Sequence, residues 1–534
     1  MRLLPASAMA GPSRLVLQVH RQSGARMNRV RPQSTWASVV DSAKSLVAGA
    51  QIPPQSGKKE ASFTNVSSVQ DAKGSDPFND SPNEATSMPI IRDPLGLVGK
   101  ELSSLRSNVS AMLGSGHPSL DSIAKYYFQA EGKHVRPLIV LLIAKATNGI
   151  SPLWPQLMDS ARNRTRGLDA ETVRVEHEMG IDEPLSPREV LNDFNPDKEG
   201  DSSQLSELHS LTGLEASENE STILPTQRRL AEITEMIHVA SLLHDDVIDA
   251  SALRRGSPSA PAAFGNKLSI LGGDFLLGRA SVALARLRNN EVVELLATVI
   301  ANLVEGEVMQ LKSQAAKVAD PNAPRKSTSS SFWAAEDPTA TEHASSASGP
   351  SLEVFEHYLQ KTYLKTAALI GKSARAATIL GGCGADAVRQ GHFGTEAEEN
   401  AKIVRDAAYS YGRNLGIAFQ LVDDLLDFKS TSAAFGKPSG GADLRLGLAT
   451  APVLYAWQEF PKEGLGEMVK RKFEGEGDVE KALAIVRRSN GLERTKELAI
   501  FHANLAQEAL LKLPASDARL ALSKLNEQII TRVK

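Results

Sequence analysis

The chain contains two copies of one carboxylate pattern, Asp245-Asp246-Val247-Ile248-Asp249 within LLHDDVID and Asp423-Asp424-Leu425-Leu426-Asp427 within FQLVDDLLDF. On a helix, positions i, i+1 and i+4 project to one side within little more than a turn. Each copy therefore gathers carboxylate oxygens on an otherwise apolar helix. Crowded carboxylates repel one another, and apolar neighbours raise the cost of keeping them ionised. A cation must relieve them, and hard divalent ions that prefer oxygen and bridge to phosphates, Mg²⁺ first among them, suit the task. One such triplet can be a solvated helix face. Two, each preceded by Leu, Val, Ala or Phe, point to the walls of a cavity.

Further charged and polar residues fall near these triplets in sequence or in helical register. Gly132-Lys133-His134-Val135-Arg136-Pro137 runs straight into LIVLLIAKA. Gly ends one helix and Pro sits in the first turn of the next, so Lys133 and Arg136 occupy a helix start, where free backbone N–H groups favour anions. The spacing His238–Ser241–Asp245–Asp249 draws one stripe along a helix. Arg254-Arg255-Gly256 follows the first triplet; its guanidinium groups can pair with the aspartates or grip phosphate in bidentate fashion. Gln420 shares a helical face with Asp423, Asp424 and Asp427, and downstream FGKP places Lys437 in a Gly-rich loop. Lys365-Thr366 interrupts the apolar run YLKTAALI, where polar groups need partners. A second pair, Lys361-Thr362, lies one turn earlier.

The elements that must position these groups read as helices. Helical periodicity begins near Leu95 and recurs to the carboxyl end, with no useful alternating β pattern. Two polar segments interrupt it, about 149–226 and about 317–350. Between Asp169 and Glu220 the first holds fifteen acidic residues against three basic ones, and the second contains KSTSSSF and HASSASGP. Both read as low-complexity insertions unable to bury a core. Residues 41–93 read as a disordered linker, and 94–534 as one catalytic domain. The first forty residues carry Arg2, Arg14, Arg21, Arg26, Arg29 and Arg31 and no acid before Asp41, the pattern of a mitochondrial targeting segment.

A net charge of −3 provides no global field for nucleic acid or anionic lipid, so local cations must hold any anionic substrate. The single cysteine, Cys383, excludes an intramolecular disulfide framework and Cys-rich metal sites. Apolar runs such as Pro137–Ala144 fall short of a membrane span, which suggests a soluble or peripheral protein.

Taken in order, GKHVRP, LLHDDVIDxxxxRRG, KTAALI, FQLVDDLLDF and FGKPxGxDL resemble the motifs of the trans-prenyl diphosphate synthases, and most closely those of the mitochondrial long-chain branch. The resemblance spans about Leu95 to Lys534 apart from the insertions. It implies an all-α fold, one large helical bundle of isoprenoid-synthase type with two polar surface insertions. It implies Mg²⁺-dependent condensation of isopentenyl diphosphate onto an allylic diphosphate (farnesyl or geranylgeranyl diphosphate) to a hexaprenyl-to-decaprenyl product for the ubiquinone side chain. By the same resemblance Asp245, Asp249, Asp423, Asp424 and Asp427 hold metal, with Asp246 nearby. Lys133, Arg136, His238 and Arg255 bind isopentenyl diphosphate, and Arg254, Lys365, Thr366, Gln420 and Lys437 contact the allylic chain and its leaving group. Of the two Lys-Thr pairs, Lys365-Thr366 fits the motif better.

Ala240 and Ser241, one turn before the first triplet, are small, which argues for a long product tunnel. The resemblance also implies a homodimer, with a heteromer left open, and peripheral association with the inner membrane is compatible with a greasy product. Where the family often has Gly-Lys-x-Thr, this chain reads Gly447-Leu448-Ala449-Thr450, so a phosphate-reaching lysine is missing there. A terpene cyclase of similar fold would bind one diphosphate and replace the second triplet. A non-catalytic subunit of a heteromeric synthase would lose one or both triplets. Both are intact here.

Overall fold

The computed structural model describes residues 93–113, 117–129, 134–163, 185–186, 222–254, 256–314, 349–429 and 440–532. The arginine-rich segment, the linker up to Asp93 and most of both polar insertions lie outside these residues, as do Lys133, Arg255 and Lys437. All described residues belong to one compact unit, Gln55–Lys534.

The chain folds as α1 (Pro94–Met112), α2 (Pro118–Gln129), α3 (Val135–Thr147), α4 (Trp154–Asn163), α5 (Pro225–Ile248), a short α6 (Ala260–Phe264), α7 (Asn266–Arg286), α8 (Asn290–Gln314), α9 (Leu352–Thr362), α10 (Ala368–Thr378), α11 (Ala385–Gln390), α12 (Thr395–Lys429), α13 (Ala442–Arg445), α14 (Ala451–Glu459), α15 (Leu465–Lys470), α16 (Asp478–Arg488), α17 (Gly491–Leu510) and α18 (Asp517–Ile530). The β-structure among the described residues is one antiparallel pair, β1 (Leu253–Arg254) with β2 (Ser257–Pro258). The fold is all-α, as expected. Helix α4 is a correction to the boundary of the first insertion. Residues 149–163 are ordered, and the acidic run begins only beyond them.

Helix α12, roughly 52 Å long by its rise per residue, is the axis of the bundle. Its buried positions include Tyr411, Leu415, Ile417, Ala418 and Leu421, so no side of its middle faces water. It packs against α10 and α17, while α5 packs against α3 and α7. Helix α3 is apolar on nearly every face and correspondingly buried.

Between α9 and α10 the backbone widens into a π turn, Tyr363–Ala367, of the kind that often marks functional sites. This turn carries Lys365 and Thr366. Axis and turn approach closely because of glycine. A Cβ on Gly416 would lie 2.6 Å from the Ala367 Cα, and one on Gly412 would lie 2.8 Å from the Gly371 Cα.

Among the described residues, one helix is by length and composition apolar enough to cross a membrane, Asn266–Arg286. That is longer than the runs singled out from sequence. One side of it packs on α2 and α5.

Candidate active site

Helices α5 and α12 end at their acidic triplets, and α3 starts beside them. Arg136, in the first turn of α3, donates from Nη1 to His238 Nε2 of α5 at 2.9 Å. Burial shifts the Asp423 carboxyl on α12 upward, and Arg532 first and the same Arg136 guanidinium after it oppose that shift. Three elements distant in sequence thus bring their charged residues to one end of the bundle.

On the first wall, Asp245 is pushed up to about 7. Burial is the main cause, Glu307 and Asp249 add to it, and Lys365 opposes it. Asp249, at the helix end, is shifted upward for the same first reason. Lys365 donates to Glu307 and, at 3.0 Å, to the Gln310 Oε1. Among the described residues, Asp249 Oδ1 and Glu307 Oε1 are buried carboxylate oxygens with no hydrogen-bond partner.

Asp246 behaves differently from its neighbour. It is 2 % exposed and receives Arg254 in bidentate fashion, Nε to Oδ2 at 2.8 Å and Nη2 to Oδ1 at 2.7 Å. The Tyr127 hydroxyl also donates to it, and the Tyr127 oxygen accepts from the Ala260 N–H at 2.8 Å. Burial and that carboxylate push the tyrosine up to about 12. Of the two readings of Arg254, ion pairing with an aspartate is the one seen here.

On the second wall each aspartate has its own partner. Asp424, also 2 % exposed, accepts from the Tyr358 hydroxyl at 2.5 Å and from Gln420 Nε2 at 2.9 Å. Gln420 in turn accepts from the Thr366 hydroxyl at 2.9 Å. Burial raises Asp424 to about 6. Asp427 accepts from the backbone N–H groups of Ala442 and Asp443, at 2.9 and 3.3 Å, and so caps α13. Asp423 pairs with Arg532 Nη2 at 2.8 Å, and Arg532 lies over the Phe419 ring. Asp443 is raised to about 7 by burial and by the charges of Asp424 and Asp427.

The two lysines of the α9–π segment serve different walls. Lys365 faces the first, while Lys361, lowered by burial, feels Asp424 and Asp443 of the second. Ala240 is fully buried, and the Ser241 hydroxyl donates to the His238 carbonyl at 2.8 Å.

Sequence reasoning therefore missed Glu307, Gln310, Tyr127, Tyr358 and Arg532 as parts of the site, quoted Asp443 within FGKPxGxDL without giving it a role, and set Lys361 aside. Glu307 and Gln310, at i and i+3 in the run LVEGEVMQL, were visible as polar interruptions. No comparable signal marks Arg532.

No three acidic, imidazole or thiol groups among the described residues converge as a ready metal site. The donor chemistry nevertheless fits a hard divalent ion. Asp245 and Asp249 lie buried at a helix end with their pKa values raised, and one oxygen of Asp249 and one of Glu307 are orphaned.

The sequence model of one family, polyprenyl synthetase, matches residues 207–486. A Neurospora crassa protein named probable hexaprenyl pyrophosphate synthase, mitochondrial, is 49% identical over 84% of this chain and 83% of its own length. The Saccharomyces cerevisiae hexaprenyl pyrophosphate synthase, mitochondrial, is 43% identical over 83% of this chain and 92% of its own. Among solved structures, a polyprenyl synthase from Caulobacter crescentus, complexed with calcium and isoprenyl diphosphate, aligns with a TM-score of 0.54. It covers 85% of this chain and all of its own at 23% identity, which bears on the fold. The location named for both fungal relatives agrees with the arginine-rich amino terminus, and this chain is assigned to the mitochondrion. The chain belongs to the polyprenyl synthetase family and is a prenyltransferase.

Proposed function

We propose that this chain is the Mg²⁺-dependent synthase of a long all-trans-polyprenyl diphosphate. It would add isopentenyl diphosphate repeatedly, head to tail, to farnesyl or geranylgeranyl diphosphate, and the product would serve as the ubiquinone side chain. The names of the relatives support the reaction and the product class. The observation that carries the reading at the site is the first wall, where Asp245, Asp249 and Glu307 face Lys365 with two carboxylate oxygens unsatisfied.

Asp245 and Asp249 on one side, and Asp423, Asp424 and Asp427 on the other, would hold the metal. When bound, Mg²⁺ supplies positive charge that neutralises the allylic diphosphate and stabilises it as a leaving group. Lys365, Thr366, Gln420 and Lys437 orient that diphosphate and the first carbon of the allylic chain. Arg254 acts on it indirectly, by fixing Asp246 and with it the end of α5. Lys133, Arg136, His238 and Arg255 hold the second diphosphate, that of isopentenyl diphosphate. Apolar helix walls exclude water while the allylic C–O bond breaks and the isopentenyl double bond forms the new C–C bond. The proton lost from the adduct goes to the departing diphosphate. Ala240 and Ser241 leave room for the growing chain.

A homodimer is part of the proposal. On α7, Ile270, Leu271 and Val282 are exposed, as is Val304 on α8, while Asp274 and Arg279 interrupt the α7 run. A bilayer would penalise those charges, whereas a second copy of the chain would cover the apolar residues.

The test is incubation of the purified protein with labelled isopentenyl diphosphate, farnesyl diphosphate and Mg²⁺, with chromatography of the products. Linear products of hexaprenyl to decaprenyl length are expected. A cyclic hydrocarbon would indicate a cyclase, and no product from the lone chain would indicate a subunit that needs a partner.

A further inference from the structure

Lys365 is held at the first wall by α8, and the manner of its holding bears on how an ion enters. Gly306 makes room for the lysine stem, since a Cβ there would lie 2.7 Å from the Lys365 Cγ and 3.2 Å from its backbone N. On the same helix Glu307 accepts from the ammonium, and Gln310 Oε1 accepts from it at 3.0 Å. Both side chains belong to buried residues, 8 % and 7 % exposed.

Glu307 does more than hold the lysine. Its carboxyl group meets that of Asp245, within hydrogen-bonding reach, although neither group can donate when ionised. Its Oε1 is buried without a partner, and so is Oδ1 of Asp249. A carboxylate needed only as an anchor for Lys365 would gain nothing by burying an unsatisfied oxygen beside another carboxylate, where desolvation and repulsion both oppose it.

Charge points the same way. Lys365 is the cation that acts most strongly on Asp245 and on Asp249, and it is the ion-pair partner of Glu307. With three carboxylates ionised, one ammonium leaves a deficit of two charges, which a single divalent ion cancels. Arg254 makes up little of it, because its fork is committed to Asp246. Lysine carries its charge on a flexible stem and can withdraw, whereas a bidentate guanidinium is fixed. With Lys365 in place, the described carboxylates do not converge as a metal site.

We infer that Glu307 is a third carboxylate ligand of the first metal wall, and that Lys365 lies on it as a stand-in cation which a divalent ion displaces. The displaced ammonium is then free for the diphosphate, so the inference rests on the metal-dependent synthase reading. It adds how the wall is held before the ion arrives.

The experiment titrates the full chain with Mn²⁺ in the absence of diphosphate, on the alkaline side of neutral, and follows the free ion by electron paramagnetic resonance. Glu307→Gln should weaken binding by at least about tenfold. Lys365→Met removes the competing charge and should tighten it by about tenfold. Thermal unfolding shows whether each variant is folded, and Lys365→Gln serves if the methionine variant is not. The opposite signs separate a ligand from an anchor: if Glu307 only held Lys365, breaking the pair from either side would move the affinity in the same direction. Unchanged or tighter binding in Glu307→Gln, or unchanged or weaker binding in Lys365→Met, overturns the inference. Asp245→Asn tells that failure apart from failure of the synthase reading. If it weakens Mn²⁺ binding, the metal wall stands and only the roles of Glu307 and Lys365 fall. A wild-type chain that binds Mn²⁺ only with inorganic pyrophosphate also overturns the inference, and one that binds none even then counts against the metal-dependent reading itself.

Discussion

The Thr366–Gln420–Asp424 chain exists because the bundle axis approaches the π turn at Gly416, and Gly416→Ala tests that dependence. The new methyl group would lie 2.6 Å from the Ala367 Cα and 2.9 Å from its Cβ. Carbon atoms prefer about 3.5–4.0 Å, so axis and turn must separate by about 1 Å. Neither partner is the flexible end of a side chain, and overpacking of this kind costs about 1–3 kcal/mol. The separation also stretches the 2.9 Å bond from Thr366 to Gln420, worth about 0.5–1.5 kcal/mol. Together these lower stability by about 2–4 kcal/mol and the unfolding midpoint by about 2–5 °C. Gln420 then no longer orients Asp424, and a misplacement near 1 Å can cost about 100-fold in kcat. The KM for isopentenyl diphosphate should change little, because Arg136 and His238 are not on the displaced contact. Calorimetry and steady-state kinetics measure the two effects. A Gly416→Ala protein with wild-type midpoint and kcat would refute the reasoning.

Other consequences are open to equally direct tests. Glu307→Gln keeps the shape but weakens the hold on Lys365, and we expect a loss of about 10–100-fold in kcat with higher demand for Mg²⁺; unchanged metal dependence would count against a role at the metal wall. Ala240→Phe should shorten the product, because Ala240 is fully buried one turn before the first triplet; an unaltered product profile on chromatography contradicts that tunnel direction. Burial lowers His502 to about 3, so it stays neutral in the folded chain while the unfolded chain takes up a proton near the ordinary 6.5. Its contribution to stability is therefore complete above pH 6.5 and is lost as pH falls toward 3, by about 2 kcal/mol at pH 5. His502→Gln can still donate to Asn414, and its midpoint should fall less steeply between pH 6.5 and 5 than that of the wild type; parallel curves would rule the histidine out.

Much of the helical architecture and both triplets were legible because period 3.6 and repeated acidic spacing are local properties. The pairing of Arg136 with His238 was legible in kind, since both were picked as anion-binding groups on helices, though their contact depends on packing. What was not legible lies in side-chain direction and in long-range contact. Asp245 and Asp246 are adjacent and chemically identical, yet one faces Lys365 and Glu307 while the other turns to Arg254 and to Tyr127 of α2. The reach of Tyr127 from α2, which packs on α6 and α7, and of Arg254 from β1 decides which is which. Arg532 reaches Asp423 from the carboxyl end, more than a hundred residues away, and no local pattern encodes that distance. Lys361 resembled a redundant copy of Lys365 because a straight helix puts i and i+4 on one face. In the fold the two lysines answer to different walls.

The electrostatics of the two walls also differ in a way that bears on what each needs. Both triplets sit at helix carboxyl ends, the negative pole of the backbone dipole, so carboxylates there are disfavoured even before they meet one another. The second wall relieves this with its own groups. Asp424 has Tyr358 and Gln420, Asp427 has two backbone N–H groups, and Asp423 has Arg532. On the first wall Arg254 is committed to Asp246. Among the described residues, the carboxylates of Asp245, Asp249 and Glu307 then share the ammonium of Lys365, with a weaker influence of Arg254 on Asp249, and two of their oxygens stay unsatisfied. Protonation can correct that shortage of positive charge, which is the direction in which burial drives Asp245. A divalent cation corrects it with the carboxylates still ionised, and it can do so while carrying a diphosphate into the site.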